Sequence, residues 1–192
     1  MSRKLEFFFD YVSPYTYLAN SQVRDIGAEV VYRPMLLGAV MQAVGNKPPR
    51  TVPAKGRYLE MDIQRWTAAY GIPFKWGSLF PQKTVNALRV AIVAAKQGKF
   101  HAVHEPLFEA VWVHDHDVSD EIVLTEIITG AGMDASSVLE EITTDEVKGE
   151  LRANTEEAVE RGIFGAPTFF VGDEMFFGND RFDFIREELG LG

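Results

Sequence analysis

The chain has 192 residues, of which 46% are hydrophobic and 24% charged, a composition typical of folded proteins that excludes a disordered chain. Nineteen basic residues against 28 acidic ones give a formal net charge of −9, so the average surface repels nucleic acid and anionic lipid, and neither is an expected partner. Cysteine is absent, which excludes disulfides, thiolate metal sites and a nucleophilic or redox-active cysteine, so any thiol that this protein uses must come from outside.

The N-terminal segment, MSRKLEFFFD, has too few apolar residues before its aspartate for the core of a signal peptide. No later run approaches the ~20 apolar residues that cross a bilayer. We therefore expect a cytoplasmic protein with no membrane partner.

The first 35 residues predict a strand, a helix and a second strand. Residues 5–9 form a short aromatic run bounded by charges, which is typical of a buried strand, and residues 30–35 predict another. Between them, Pro14 suits the first position of a helix and Ser13 suits the cap before it. This order favours parallel strands joined by a right-handed crossover.

The middle of the chain predicts helices. It includes a loop at residues 45–53, where three prolines within six residues remove backbone donors. A helix start is predicted at Ser119. Several apolar stripes at helical spacing are more typical of a core than of cofactor contacts; they contain Leu59, Ile63, Trp66, Tyr70, Leu88, Ile92, Ala95, Val147, Leu151, Ala158 and Val159.

The end of the chain predicts a hairpin and a last helix. Residues 168–171 and 175–177 have strand character, and the Gly172-Asp173 turn joins them. Asn179 or Asp180 is predicted to cap the helix that follows.

Together these elements predict an α/β fold. Residues 1–35 and 161–192 would form a βαβ and ββα domain. Residues 36–160 would form an inserted all-helical domain that includes the loop at residues 45–53.

Ser13 is the first candidate for chemistry. A helix start gathers unpaired N–H groups and about half a positive charge, which attracts anions and lowers the pKa of a nearby thiol. Ser13 could be a structural cap, a nucleophile or a donor to a bound anion. No triad-type base stands close to it in the sequence, so the donor role ranks above the nucleophile.

The second candidate is the segment that ends in Pro167. This proline opens an apolar strand and leaves the backbone groups of Ala166 available to a partner outside the sheet. Whether the bond before Pro167 is cis stays open. His101 and His104 lie three apart on a predicted helix. The cluster at residues 114–117 is expected to be a solvated loop and not to bind metal, because it supplies at most two ligands where a metal site needs three or four.

Four motifs in this order resemble the kappa-class glutathione transferases and, among them, the bacterial 2-hydroxychromene-2-carboxylate isomerases. The motifs are F-x-x-D-x-x-S-P-x-x-Y-L, G-N-K-P-P, G-x-P-T-F-F-V and F-F-G-N-D-R, and the resemblance runs from about residue 5 to residue 189. It implies a thioredoxin-like domain with a helical insertion, a bacterial cytoplasmic homodimer, and glutathione as the cofactor that supplies the missing thiol.

The resemblance also implies roles for individual residues. Ser13 would hold the sulfur of glutathione as a thiolate, and Ala166, before a cis Pro167, would bind its cysteinyl part through the backbone. The γ-glutamyl end would be held by four consecutive residues, with Asp180 pairing with its ammonium group; they are Gly178, Asn179, Asp180 and Arg181.

Three further residues complete the implied site. Asn46 would bind glutathione, and Lys47 would reach the acid group of the substrate. Asn86 would line the substrate, although it could equally be a solvated helix residue. Aromatic residues such as Tyr11, Trp66 and Trp76 could line an apolar pocket for the substrate ring or belong to the core.

The implied reaction is the glutathione-dependent conversion of 2-hydroxychromene-2-carboxylate, a small aromatic carboxylic acid of naphthalene breakdown, to trans-o-hydroxybenzylidenepyruvate. Reversible thiolate addition would make a conjugated double bond temporarily single and allow rotation. Two alternatives stay open: a kappa-like transferase that conjugates glutathione to electrophiles, and a non-catalytic thiol-binding module. The absence of cysteine excludes a disulfide oxidoreductase.

Overall fold

The computed structural model describes residues 4–191 and builds its sheet from the two ends of that range. The four strands are β1 (Leu5–Phe9), β2 (Val30–Pro34), β3 (Thr168–Val171) and β4 (Glu174–Phe177). The helices are α1 (Pro14–Val23), α2 (Leu37–Ala43), α3 (Pro53–Tyr70), α4 (Val85–Lys96), α5 (Phe100–Trp112), α6 (Glu121–Gly130), α7 (Ala135–Glu141), α8 (Asp145–Glu160) and α9 (Phe182–Leu189), with a 3₁₀ turn at Pro49–Thr51.

The strands lie in the order β2-β1-β3-β4. Strand β1 pairs in parallel with β2, which places Phe7 opposite Tyr32, and antiparallel with β3, which places Phe7 opposite Phe169. Strand β4 pairs antiparallel with β3 through the predicted hairpin. The predicted α/β fold, with a βαβ unit at one end and a ββα unit at the other, is therefore confirmed.

Both faces of β1 are buried, which explains its unbroken apolar sequence. Successive side chains of a strand point to opposite faces. Phe7 and Phe9 belong to a large core cluster with α1, α4 and α5, whereas Phe8 packs in a second cluster with Phe170 and residues of α2 and α8. The two central strands β1 and β3 are thus buried between helices, whereas the edge strand β4 is largely exposed.

Several predicted boundaries shift by one or two residues. Strand β2 ends at Pro34, and the predicted loop ends at Val52, since Pro53 takes the first position of α3. Helix α6 is capped by Asp120, whose carboxylate accepts from the N–H of Ile122, because the hydroxyl of Ser119 donates to Asp117 instead.

The predicted cap of the last helix is wrong. Neither Asn179 nor Asp180 caps α9; the cap residue is Arg181, which makes no side-chain bond to the first turn. The side chain of Asn179 is instead engaged with Tyr70. The first N–H groups of α9 are therefore left without a capping side chain.

The predicted inserted helices pack directly on the sheet. One continuous core cluster joins Phe7 and Phe169 of the sheet to Leu88 of α4 and Leu151 of α8. The division of the chain into a thioredoxin-like domain and an inserted domain stays a prediction. Among residues 4–191, none of the helices combines the length and the hydropathy needed to span a membrane.

Candidate functional site

Ser13 caps α1 and also contacts the other end of the chain. Its backbone is extended, its Oγ accepts from the N–H of Thr16 at 3.2 Å, and Pro14 occupies the first helical position, as predicted. The Ser13 hydroxyl donates to the carbonyl of Ala166 at 3.1 Å. One hydrogen bond therefore joins the two candidate regions, which are separated by 153 residues in the chain.

The Ala166–Pro167 peptide bond is cis, which answers the question that the sequence left open. The carbonyl of Pro167 accepts from the N–H of Gly178 at 3.1 Å, which brings the G-N-D-R motif beside this turn. Gly178 has a φ of 113°, and a Cβ atom there would lie 2.9 Å from Oδ1 of Asp180. The position favours glycine because the Asp180 carboxylate packs against this backbone.

The G-N-D-R motif lies close to the start of α1. Asp180 pairs with Arg181 at 2.8 Å, and its charge raises the pKa of Tyr15, although burial is the largest cause of that increase. Asn179 is buried, donates to the hydroxyl of Tyr70 at 3.3 Å, and accepts from that hydroxyl through its carbonyl at 3.0 Å. The motif is therefore held to α3 by Tyr70, which the sequence had assigned only to a core stripe.

The loop at residues 45–53 reaches the same region. The side-chain amide of Asn46 donates to the carbonyl of Phe164 at 2.8 Å, two residues before Ala166, and its Oδ1 accepts from the N–H of Lys47. Lys47 is exposed and forms no ion pair with any residue between 4 and 191. Its ammonium group is available to an anionic ligand.

A cleft of ≈ 360 Å³ opens between this loop, α1 and α3, and the sequence reasoning did not predict it. Its lining consists of Tyr15, Pro49, Ala54, Lys55, Tyr58 and Leu59. The hydroxyls of Tyr15 and Tyr58 both donate to Asp62, at 2.7 and 3.2 Å, which fixes the two rings as walls. The sequence held one indication of this cleft: Tyr15, which forms one of its walls, follows the candidate Ser13 by two residues.

The segment around this cleft is locally basic although the protein is acidic. Residues 47–57 contain four cations and no carboxylate; the cations are Lys47, Arg50, Lys55 and Arg57. Arg50 pairs with Glu60 at 3.2 Å, and of the other three cations Lys55 lines the cleft. Aromatic walls together with this lysine suit a small ligand that combines an apolar body with a negative charge.

Asn86 lies in the first turn of α4, half-buried, and accepts from Arg89 at 3.5 Å. No recorded hydrogen bond connects it to Ser13, Asn46 or the G-N-D-R motif. The structure therefore leaves its substrate-lining role a prediction.

The structure places Tyr11 in the core, one of the two alternatives that the sequence left open, and its substrate-lining role stays a prediction. Its side chain is fully buried and its hydroxyl bonds to Nδ1 of His104 at 2.9 Å. Asn20 donates to Glu105, so its Oδ1 must accept from Nε2 of His104, which leaves Nδ1 to accept from Tyr11. Burial lowers the pKa of His104 well below its ordinary value, consistent with this neutral tautomer.

Asp10 connects three segments that carry site residues. Its Oδ1 accepts from the hydroxyl of Thr84 at 2.6 Å and from the N–H of Val12 at 3.2 Å. Its Oδ2 accepts from the N–H of Leu37 at 2.9 Å. Burial raises the pKa of the Asp10 carboxyl above its ordinary value, although these three hydrogen bonds act in the opposite direction.

The described residues 4–191 contain no group of three or more His, Asp or Glu side chains that could hold a metal ion. The electrostatic features of the site are therefore the helix starts, the cations of the loop and three carboxylates, which are Asp180, the buried Asp10 and Asp62, the acceptor of the two cleft tyrosines.

The strand order and the contact between a helix-capping serine and a cis-proline turn define a thioredoxin-like protein. Residues 4–190 match the DSBA-like thioredoxin domain, and the chain belongs to this family. The family resemblance predicted from the four motifs is confirmed by the relatives that follow.

A 2-hydroxychromene-2-carboxylate isomerase of Sphingobium xenophagum is 32% identical, over 98% of this chain and 99% of that protein. Glutathione S-transferase kappa 1 of Rattus norvegicus is 30% identical, over 98% of this chain and 91% of that protein. The solved structure of a 2-hydroxychromene-2-carboxylate isomerase has a TM-score of 0.84 at 28% identity, covering 97% of this chain and 94% of the other.

We expect Asp10→Asn to destabilise the protein by about 1–3 kcal/mol, because the amide cannot accept from both Leu37 and the pair of donors at Oδ1. Since the folded-state pKa of Asp10 is raised, its titration contributes stability that is fully present below pH 3.8 and is lost as the pH rises through the folded-state value. The wild-type advantage over Asp10→Asn in free energy of unfolding should therefore shrink from pH 4 upward. Urea denaturation of both proteins across this range checks the sign, and an advantage that grows with pH would contradict it.

Proposed function

We propose that this protein is a glutathione-dependent isomerase of a small aromatic hydroxy acid, converting 2-hydroxychromene-2-carboxylate to trans-o-hydroxybenzylidenepyruvate. The observation that carries the proposal is the hydrogen bond from Ser13 to the carbonyl of Ala166. It places an alcohol at a helix start against a backbone acceptor, in a chain that has no cysteine.

The available groups fit glutathione by their chemistry. The tripeptide has a thiol, one ammonium group and two carboxylates. The site offers the Ser13 hydroxyl for the sulfur, the Asp180 carboxylate, which now pairs with Arg181, for the ammonium group, and the uncapped N–H groups at the start of α9 for a carboxylate. When bound, glutathione would supply a sulfur nucleophile that adds reversibly to the conjugated double bond of the substrate.

Ser13 and Ala166 would each exchange one partner on binding. The Ser13 hydroxyl now donates to the Ala166 carbonyl, and it would turn to donate to the sulfur. The Ala166 carbonyl would then accept a main-chain N–H of the tripeptide, as in strand addition. The exchange leaves no buried donor or acceptor unpaired, which is why this contact supports a peptide thiol as the ligand.

The field at the start of α1 would favour the deprotonated thiol. No acidic residue lies in the first turn of α1, so its partial positive charge is not neutralised locally. The carboxylate of Asp10 lies three residues before Ser13, and its oxygens are taken up by hydrogen bonds from Thr84, Val12 and Leu37.

For the substrate, the proposal relies on the basic segment and its cleft. Lys47 would pair with the acid group, and Asn86 stays a proposed lining residue. The rings of Tyr15 and Tyr58 offer apolar walls for an aromatic body. From the sequence resemblance we also infer a cytoplasmic homodimer that acts in aromatic hydrocarbon breakdown, such as that of naphthalene.

A kappa-like transferase is the second candidate. The kappa 1 transferase of rat is 30% identical to this chain, close to the 32% of the isomerases, so identity alone does not separate the two activities. A transferase would use the same Ser13 and Ala166 contacts but release the adduct. A non-catalytic thiol-binding module is less well supported, because Tyr15, two residues after Ser13, lines a cleft that could hold a second ligand.

Ser13→Ala should weaken thiolate formation. Without the hydroxyl donor, we expect the pKa of bound glutathione to rise by ~1 unit, a shift of about 1.4 kcal/mol. Ultraviolet titration of the thiolate in the presence of saturating glutathione measures it. Ser21→Ala is the matched control, because Ser21 lies in the same helix and donates only to the carbonyl of Leu18. Equal thiol pKa values in the wild type, Ser13→Ala and Ser21→Ala would contradict the proposed role of Ser13.

Asp180→Asn should weaken glutathione binding. Loss of a charged partner for the ammonium group should raise the Kd roughly tenfold or more, as expected for a hydrogen bond to a charged group. Titration calorimetry gives the Kd directly. Asp173→Asn removes a charge from the exposed turn between β3 and β4 and should leave the Kd unchanged. If both variants weaken binding equally, the effect is that of net charge and not of a specific contact.

The fate of glutathione separates isomerase from transferase. With the chromene acid in large excess over glutathione, an isomerase converts all of the substrate and leaves the tripeptide intact. A transferase stops when the tripeptide is consumed, because each event uses one molecule. Absorbance of the substrate, together with chromatographic assay of glutathione, distinguishes the two, and a one-to-one loss of thiol would favour the transferase.

A further inference from the structure

Thr16, one turn after Ser13, has a buried hydroxyl without a hydrogen-bond partner. Its side chain is fully inaccessible to solvent. Its Oγ1 contacts no donor or acceptor among the described residues. Buried polar groups are normally paired, and an unpaired one in a native structure calls for an explanation.

The hydroxyl of Thr16 does not bond to the backbone carbonyls that usually accept from a helical threonine. A helical threonine commonly donates to the carbonyl three or four residues earlier, which here would be Ser13 or Val12. The Ser13 carbonyl is taken by the N–H groups of Thr16 and Tyr17. The hydroxyl of Thr16 therefore does not contribute to the helix that contains it.

The position of Thr16 directs its side chain toward Ser13. Side chains of a helix lean toward its N-terminus and cover the preceding turn. The N–H of Thr16 already donates to Oγ of Ser13 at 3.2 Å, so one hydrogen bond joins the backbone of Thr16 to the side chain of Ser13. The unpaired Oγ1 of Thr16 and the Oγ of Ser13 therefore belong to residues that are already joined by a hydrogen bond.

We propose that Thr16 is a positioning residue for the Ser13 hydroxyl in the thiol-bound protein, an inference that rests on the proposed function. Oγ of Ser13 has two lone pairs, of which the N–H of Thr16 uses one. The hydroxyl of Thr16 donates to the second when the Ser13 O–H turns from Ala166 to the sulfur. Two donors hold the oxygen in place and polarise its O–H, which strengthens its bond to a thiolate.

Thr16→Val tests this proposal because it keeps the shape of the side chain and removes only the hydroxyl. A purely structural hydroxyl and a positioning one predict different results. Removal of an unpaired buried group should leave the melting temperature of the ligand-free protein equal or higher. The pKa of bound glutathione should nevertheless rise by about 0.5–1 unit, which leaves roughly 3- to 10-fold less thiolate at pH values well below the thiol pKa. Thr16→Ser keeps the hydroxyl and should restore the wild-type thiol pKa.

Thr155→Val is a matched control with the opposite expected signature. Thr155 is also buried, but its hydroxyl donates to Leu151 at 2.7 Å and accepts from the N–H of Leu36 at 3.0 Å. Its loss should lower the melting temperature and leave the thiol pKa unchanged. Should Thr16→Val fail to fold, Thr16→Ala is the second variant without a hydroxyl.

The measurements separate this inference from the proposed function. If wild-type protein binds glutathione with a lowered thiol pKa and Thr16→Val gives the same value, the positioning role is wrong while the proposed function stands. The same holds if Thr16→Ser is as impaired as Thr16→Val. If calorimetry detects no glutathione binding to the wild type, the proposed function fails and this inference fails with it.

Discussion

The buried carboxylate of Asp10 is the interaction on which the arrangement of the site depends. Its two oxygens bind the start of α4 through Thr84, the start of α2 through Leu37, and the turn that leads to Ser13 through Val12. A buried carboxylate is costly unless its oxygens are hydrogen-bonded, so these segments are stable together only where all three donors reach it. The relative positions of Ser13, the loop that follows α2 and Asn86 all follow from this constraint.

Under the proposed function, the second constraint is that a site without cysteine must attract a thiol and stabilise its anion with neutral groups. The protein places the start of α1, an alcohol and a backbone carbonyl at one point and keeps acidic residues out of the first turn. The protein has a net charge of −9, whereas its segment at residues 47–57 contains four cations and no carboxylate. Because charges farther apart than ~8 Å are screened at physiological salt, this segment can bind an anion although the whole protein is acidic.

Several elements were predictable because their signals are local. The aromatic run of β1 was located correctly, since only a strand buried on both faces tolerates Phe7, Phe8 and Phe9 in succession. Ser13 and Pro14 identified the start of α1 through their capping chemistry. The last helix was placed correctly, but its cap was not, because the side chain of Asn179 donates a hydrogen bond to Tyr70 of α3 instead of capping α9.

The sequence by itself determined the order of strands and helices, the absence of a resident thiol and the motifs that indicate the family, because propensity, composition and motif spacing are properties of neighbouring residues. Only the tertiary structure decided which side chains meet. In the folded protein Tyr11 lies in the core against His104, and Ala166 contacts Ser13. Tyr15 and Lys55 line one cleft, and the hydroxyl of Thr16 has no hydrogen-bond partner among the described residues. These outcomes depend on how helices distant in the chain pack on the sheet, and a local pattern does not specify which buried face a side chain shares.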